Sequence, residues 1–288
     1  MNERTITANL LRRYVLHLRE EERADSTIEK YVRDLEALGR HLAGRPVTKA
    51  ALIGWKEELA RRHAPATVNS MLAAVNGFLR FMGWRECAVK LLNIQKSLFC
   101  DESRELTRSE YARLVRAAEQ GGNQRLSLVL QTICATGIRV SELKFITVEA
   151  VGTGRAEIVN KGKRRTVFLP DKLRRLLQKY LRGQKKTAQP ADAKNPVFTT
   201  RTGKPLDRSN IWRDMKNLCE SAGVEPGKVF PHNLRHLFAR TYYTLEKDLS
   251  RLADILGHSS INTTRIYTIE SGTVHQRQME RMGLVLTT

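Results

Sequence analysis

From Asn93 to Leu106 the chain loses the helical period of everything before it and gathers charge (N-I-Q-K-S-L-F-C-D-E-S-R-E-L). Such a stretch suits neither a helix interior nor a buried strand; it reads as a connector and predicts two domains. The length, 288 residues, is enough to give each a core. We place the first domain at residues 1–95, the linker at 96–104 and the second domain at 105–288.

The first domain reads as four short amphipathic helices. Residues 5–19 set Ile6, Leu10, Leu11, Tyr14, Val15 and Leu18 on one face. A second helix begins at Asp25 or Ser26, where Ser26 and Glu29 form a capping box, and it breaks at Gly44-Arg45-Pro46. A third spans about 49–62, with Leu52, Ile53, Trp55 and Leu59 inward, and Pro65 opens a fourth. The basic residues Arg12, Arg13, Arg61, Arg62 and Arg80 fall on outer faces; any one of them alone reads more readily as a solvated surface residue, and taken together in so basic a chain they are DNA-binding candidates.

In the second domain Thr107 caps a helix with Glu110 three residues on. An apolar helix at 125–135 leads to A-T-G-I-R-V-S-E-L, which turns at Gly137 and enters another helix; Arg139 and Glu142 at i and i+3 there read first as a surface ion pair. Ala156–Val159 and Thr166–Leu169 read as a β-hairpin around the basic turn N-K-G-K-R-R (160–165), which presents Lys161, Lys163, Arg164 and Arg165, the last three as DNA-binding candidates. Further helices follow from Pro170-Asp171 and Ser209, with a short strand at 197–200 between them. The fold class is therefore mainly α with a small antiparallel β-sheet.

The formal net charge of +20 narrows the partners. A balance so basic points to a polyanion, and nucleic acid is the usual one. Aromatic residues are only 6% of the chain, which argues against binding of single strands by stacking. The four cysteines make no C-x-x-C pair and no zinc-like cluster, which fits a reducing cytoplasm. No signal peptide and no apolar run of membrane-spanning length is evident.

Against that background the stretch 230–267 stands out: F-P-H-N-L-R-H-L-F-A, then L-G-H-S-S-I-N-T-T-R-I-Y. Arginines 139 and 235 have the planar fork that grips phosphate oxygens in pairs. His232 and His258 can move protons near neutrality, and a hairpin lysine can protonate a leaving oxygen. Tyr267 can attack phosphorus and form a covalent intermediate. A free phenol has a pKa of about 10, so roughly one in a thousand is ionised at pH 7, and cationic neighbours are what would help it. No acidic cluster suited to Mg²⁺ appears, which argues against a two-metal nuclease, and no cofactor is expected.

With these motifs in order, the chain resembles the tyrosine recombinase (phage integrase) family, most nearly its short bacterial Xer-type members. The match runs through A-T-G-I-R-V-S-E-L, K-G-K-R-R, H-N-L-R-H-L-F-A, L-G-H-S-S-I-N-T-T and R-I-Y, with a weaker signal at S-T-I-E-K-Y-V-R-D-L (26–35). The resemblance implies a helical, SAM-like core DNA-binding domain followed by an α+β catalytic domain. It implies Arg139 and Arg235 as phosphate clamps and Lys161 as general acid for the 5′-hydroxyl, with Lys163 competing. It further implies His232 as the aid to proton transfer at the nucleophile, His258 as a hydrogen-bonding partner of the phosphate, Tyr267 as the nucleophile and Glu142 as support. Two departures are Asn160, where many relatives have glycine, and Ile269, where histidine is frequent.

The resemblance also implies site-specific recombination through a 3′-phosphotyrosyl intermediate and a Holliday junction, whether for integration and excision or for resolution. The protein would assemble as a tetramer on its duplex site, alone or with a partner recombinase, without ATP or metal. The apolar end of 271–288 is then a tail for protomer contacts, and no arm-type domain is expected before Thr5. A type IB topoisomerase-like protein would share the chemistry, and a silent DNA-binding relative the fold. The two-domain layout favours recombination over the first, and the full set of site residues argues against the second.

Overall fold

The computed structural model describes residues 4–94, 102–160, 162–184, 193–200, 202–268 and 272–282. The chain divides into two compact units, Met1–Lys96 and Ser97–Thr288. No helix among the described residues is long and apolar enough to cross a membrane.

The first unit holds α1 (Ala8–Glu20), α2 (Asp25–Leu42), α3 (Lys49–Arg62) and α4 (Pro65–Phe81). Thr7 and Thr48 cap α1 and α3 through their hydroxyls, and Pro65 opens α4, where no amide donor is needed. The Ser26 capping box does not form: α2 starts at Asp25 with Ala24 as its cap, so Ser26 falls inside the first turn. Leu35, Leu38, Leu52, Trp55, Leu72 and Phe78 are buried together, each contributing about 1.5–3 kcal/mol of transfer free energy. Ile53 points out instead, 43% exposed, because the inward stripe of α3 runs through Leu52, Trp55 and Leu59.

The second unit begins with α5 (Arg108–Gln120), on which the Thr107–Glu110 capping box forms as expected. The apolar α6 (Gln124–Thr136) is buried along most of its length and ends at Gly137, at φ 65°. The next element is not an α-helix but a 3-10 segment, Val140–Phe145, followed by α7 (Val148–Thr153). Strands β1 (Arg155–Asn160) and β2 (Lys163–Phe168) pair antiparallel in the register Asn160↔Lys163 to Arg155↔Phe168. Residues 163–165 therefore belong to a strand and not to the turn, because backbone pairing continues to the end of the hairpin. Residues 197–200 form no strand; Val197 donates to the Ile146 carbonyl and Thr199 makes one bridge to Pro205. Then come α8 (Asp171–Gln184), α9 (Arg208–Asn217), α10 (Cys219–Ala222), α11 (Pro231–Glu246), α12 (Leu249–Leu256), α13 (Ile261–Thr264) and α14 (Gly272–Arg281).

Two clusters matter for the site. The main core gathers α5, α6, α8 and the inner face of the hairpin. A smaller one joins Ala239 of α11, Leu252 and Leu256 of α12, and Tyr267.

Candidate active site

The sharp turn after α6 delivers the first arginine. At φ 65°, Gly137 occupies backbone space that other residues rarely enter, and a Cβ there would lie 2.4 Å from the Phe238 ring. The turn points Arg139 away from the core at the start of the 3-10 segment. Glu142, one turn on, is 1% exposed and takes both the Arg139 backbone N–H (2.7 Å) and its Nη1 (3.0 Å). The two N–H groups of Arg165 reach the same carboxylate at 3.0 and 2.8 Å. Burial alone would raise the Glu142 pKa, but the hydrogen bonds from Arg165 and the Arg139 backbone overcome it and hold it at about 2.

The Arg139–Glu142 pair is thus a buried anchor and not a surface ion pair. Arg165 is part of the same anchor: its Nε also donates to the Ile255 carbonyl, and a Cβ on Gly257 would press on it at 2.9 Å. As an expected DNA contact, Arg165 has its guanidinium committed inside the protein. Lys163 and Arg164 stay exposed and line an open cleft of about 530 Å³ with Arg139 and His258. Lys161 lies outside the described residues.

Helix α11 supplies the second arginine. Arg235 is 2% exposed, and its guanidinium donates to the carbonyls of Gly137 (2.5 Å) and Leu256 (2.8 Å). Its Nη2 lies 3.0 Å from Nε2 of His258. Arginine only donates, so Nε2 accepts and the His258 proton sits on Nδ1, which donates to the Thr264 hydroxyl at 2.8 Å. Burial, then the charges of Arg235 and Arg139, push the His258 pKa down to about 4. Burial and Arg139 likewise lower that of Arg235 to about 10, against the opposing pull of Tyr267.

Tyr267 is 4% exposed at the end of a short 3-10 turn (Arg265–Tyr267). Its ring lies nearly parallel to His258 at 6.0 Å and perpendicular to His236 at 4.8 Å. His232 does not stack on the tyrosine; it packs against His236 at 4.6 Å, one helical turn away. His232 faces a second hollow with Arg139, Arg208 and Trp212, and partial burial plus the neighbouring His236 and arginines push its pKa down to about 4. Both imidazoles are therefore neutral at neutral pH.

Arg139, Glu142, His232, Arg235, His258 and Tyr267 are thus brought together from parts of the chain far apart in sequence. Sequence reasoning missed His236, Thr264 and Arg165 as members. The i, i+4 spacing of His232 and His236 was a usable signal for the first. Arg12, Arg13, Arg61 and Arg80 lie exposed on α1, α3 and α4 of the other unit, and Arg62 pairs with Glu58 at 3.2 Å.

Residues 104–272 match the group described as the Phage integrase family, and residues 11–86 its N-terminal SAM-like domain. Tyrosine recombinase XerD of Xanthomonas campestris pv. campestris is 31% identical over 90% of this chain and 87% of its own. The fold is also that of XerH site-specific recombinase in a post-cleavage complex with palindromic difH substrate (TM-score 0.72, 21% identity, 89% of this chain and 79% of that one). It is likewise that of a lambda integrase tetramer bound to a Holliday junction (TM-score 0.71, 18% identity, 92% and 78%). With a family model matched over more than half of its length and a XerD relative 31% identical along most of it, the chain belongs to the phage integrase family as a tyrosine-type site-specific recombinase.

Proposed function

We propose that the chain cuts and rejoins duplex DNA with Tyr267 as the nucleophile. The observation that supports this most is the convergence of Arg139, Arg235 and His258 beside Tyr267 from three separate segments. A phosphodiester entering the cleft at Arg139 would meet two guanidinium groups, one fixed by Glu142 and one by backbone carbonyls. Fixed donors stabilise the charge that builds on the phosphate oxygens without having to reorganise during the reaction. The Tyr267 oxygen attacks phosphorus and gives up its proton, for which neutral His232 is the acceptor in this reading. The 5′-oxygen departs with a proton from Lys161, with Lys163 the competing donor. The ester bond passes to a 3′-phosphotyrosine, so rejoining needs no new energy source.

The +20 charge supports duplex DNA as the partner, with the exposed arginines of the helical unit and Lys163 and Arg164 adding backbone contacts. Residues 1–95 would serve as the core DNA-binding part and 105–288 as the catalytic part. Assembly on DNA as a tetramer through a Holliday junction follows the lambda integrase precedent, with the C-terminal segment making protomer contacts and the work done in the cytoplasm. The test is a nicked suicide duplex drawn from DNA flanking the gene. Wild type should accumulate a protein–DNA adduct and Tyr267→Phe should not; equal adduct from both would refute the assignment.

A further inference from the structure

His236 and Glu105 have no part in the chemistry above, yet they are built into the site. His236 meets the Tyr267 ring edge-on, with centroids 4.8 Å apart and planes at 81°. Its Nδ1 lies 3.5 Å from one oxygen of Glu105, and the other oxygen lies 3.4 Å from Arg240, one turn along α11. The hydrogen bond from His236, opposed by burial and assisted by the nearby charges of His236 and Arg240, holds the Glu105 carboxyl below its usual range. A carboxylate only accepts, so its nearness favours the flip and the protonation of the imidazole that turn an N–H on Nδ1 toward it. An edge-to-face ring pair has a preferred geometry, and turning the imidazole moves the favoured position of the phenol.

Glu105 also lies near the start of the second unit, directly after the 3-10 turn Glu102–Arg104. The Arg104 carbonyl is tied to α11 by Nδ2 of Asn233, at 2.7 Å, and the same amide donates to the Lys228 carbonyl at 2.9 Å. Asn233 is buried between His232 and Arg235 in sequence. The segment 104–105 is thus fastened three times to the helix that carries the site, once through backbone at Asn233 and twice through the Glu105 carboxylate, at His236 and Arg240.

We infer that Glu105 and His236 are a positioning pair for Tyr267, through which the segment that opens the catalytic unit sets the aim of the nucleophile. The inference rests on Tyr267 being that nucleophile. Displacing residues 104–105 rotates His236 and carries the phenol with it, whereas the arginines, anchored on Glu142, Gly137 and Leu256, stay in place. Cleavage is then sensitive to this segment even though none of it touches the phosphate.

The test uses the full chain and the suicide duplex on which wild type forms adduct, with single-turnover cleavage read at saturating protein. Glu105→Gln and His236→Gln should each slow adduct formation about 10- to 100-fold, as a small misplacement of a reacting group does. Their affinity for the duplex in gel shift should stay within about twofold. The double variant should be no slower than the slower single one, since both break the same contact. Wild-type rates in Glu105→Gln, or effects that multiply in the double variant, overturn the pair. If His236→Gln melts below the assay temperature, the near-isosteric Glu105→Gln decides alone. Adduct formed by Tyr267→Phe would instead sink the nucleophile assignment, and the two failures are told apart by that control.

Discussion

The guanidinium of Arg235 donates to the backbone carbonyl of Gly137 across 2.5 Å, although the two residues are 98 positions apart. One arginine is thus held by the turn that aims the other, since Gly137 also directs the chain into Arg139. The two arginines proposed to clamp the phosphate form a single mechanical unit and not two separate side chains.

Gly137→Ala should break that unit. A Cβ would meet the Phe238 ring at 2.4 and 2.6 Å and Leu256 at 3.1 Å, at a φ of 65°. We expect a loss of about 3 kcal/mol of stability, from the left-handed backbone and the overpacked ring together. Chemical denaturation measures it, and a loss below about 1 kcal/mol would mean that the turn relaxes freely.

Acid should destabilise the protein in two separable windows. The His258 pKa is lowered from 6.5 to about 4, so between those values the unfolded chain binds a proton that the folded one does not, and stability falls as pH drops through that range. The Glu142 pKa is lowered from 4.5 to about 2, so its contribution is complete above about 4.5 and fades as pH falls toward 2. Melting curves of His258→Gln should lose part of the slope in the first window, and those of Glu142→Gln part of the slope in the second. An unchanged profile in either variant would contradict the bonding described for that group.

The identity of the general acid is open to a direct contrast. Lys161→Ala should stall cleavage more than Lys163→Ala, and a 5′-phosphorothiolate, whose leaving sulfur needs no proton, should rescue the mutant of the true acid. Rescue of Lys163→Ala instead would move the role two residues along the hairpin.

DNA binding should weaken steeply with salt. A chain of net charge +20 displaces counterions from each phosphate it covers, and log affinity should fall by about 0.9 per contacted phosphate for each decade of salt. Reversing exposed arginines of the helical unit, such as Arg12 and Arg13, should reduce that slope. Affinity flat between low and moderate salt would exclude the electrostatic grip proposed here.

Much of this protein was legible in one dimension. The Thr107–Glu110 box, the proline that opens α4 and the apolar stripe of α6 are local signals, complete within four residues or one helical period, and each appears in the structure. The site histidines, arginines and tyrosine stood out because their chemistry is rare at such spacing, and the motif order carried the family. Where local reading failed, a neighbouring element had intervened. The strands extended into the basic turn because Asn160 found Lys163 across the hairpin, and the presumed helix after Gly137 tightened into a 3-10 segment.

Residue types and periods by themselves determined two domains, mostly helical elements and the kit of groups for phosphoryl transfer. Only the tertiary structure decided how that kit is wired. It gave Glu142 a second arginine from 23 residues away, joined His258 to Arg235 and Thr264, and set the buried Tyr267 between two imidazoles. Those contacts leave no periodic trace, because a hydrogen bond between distant segments is fixed by where the backbone brings them, and packing of the whole unit settles that.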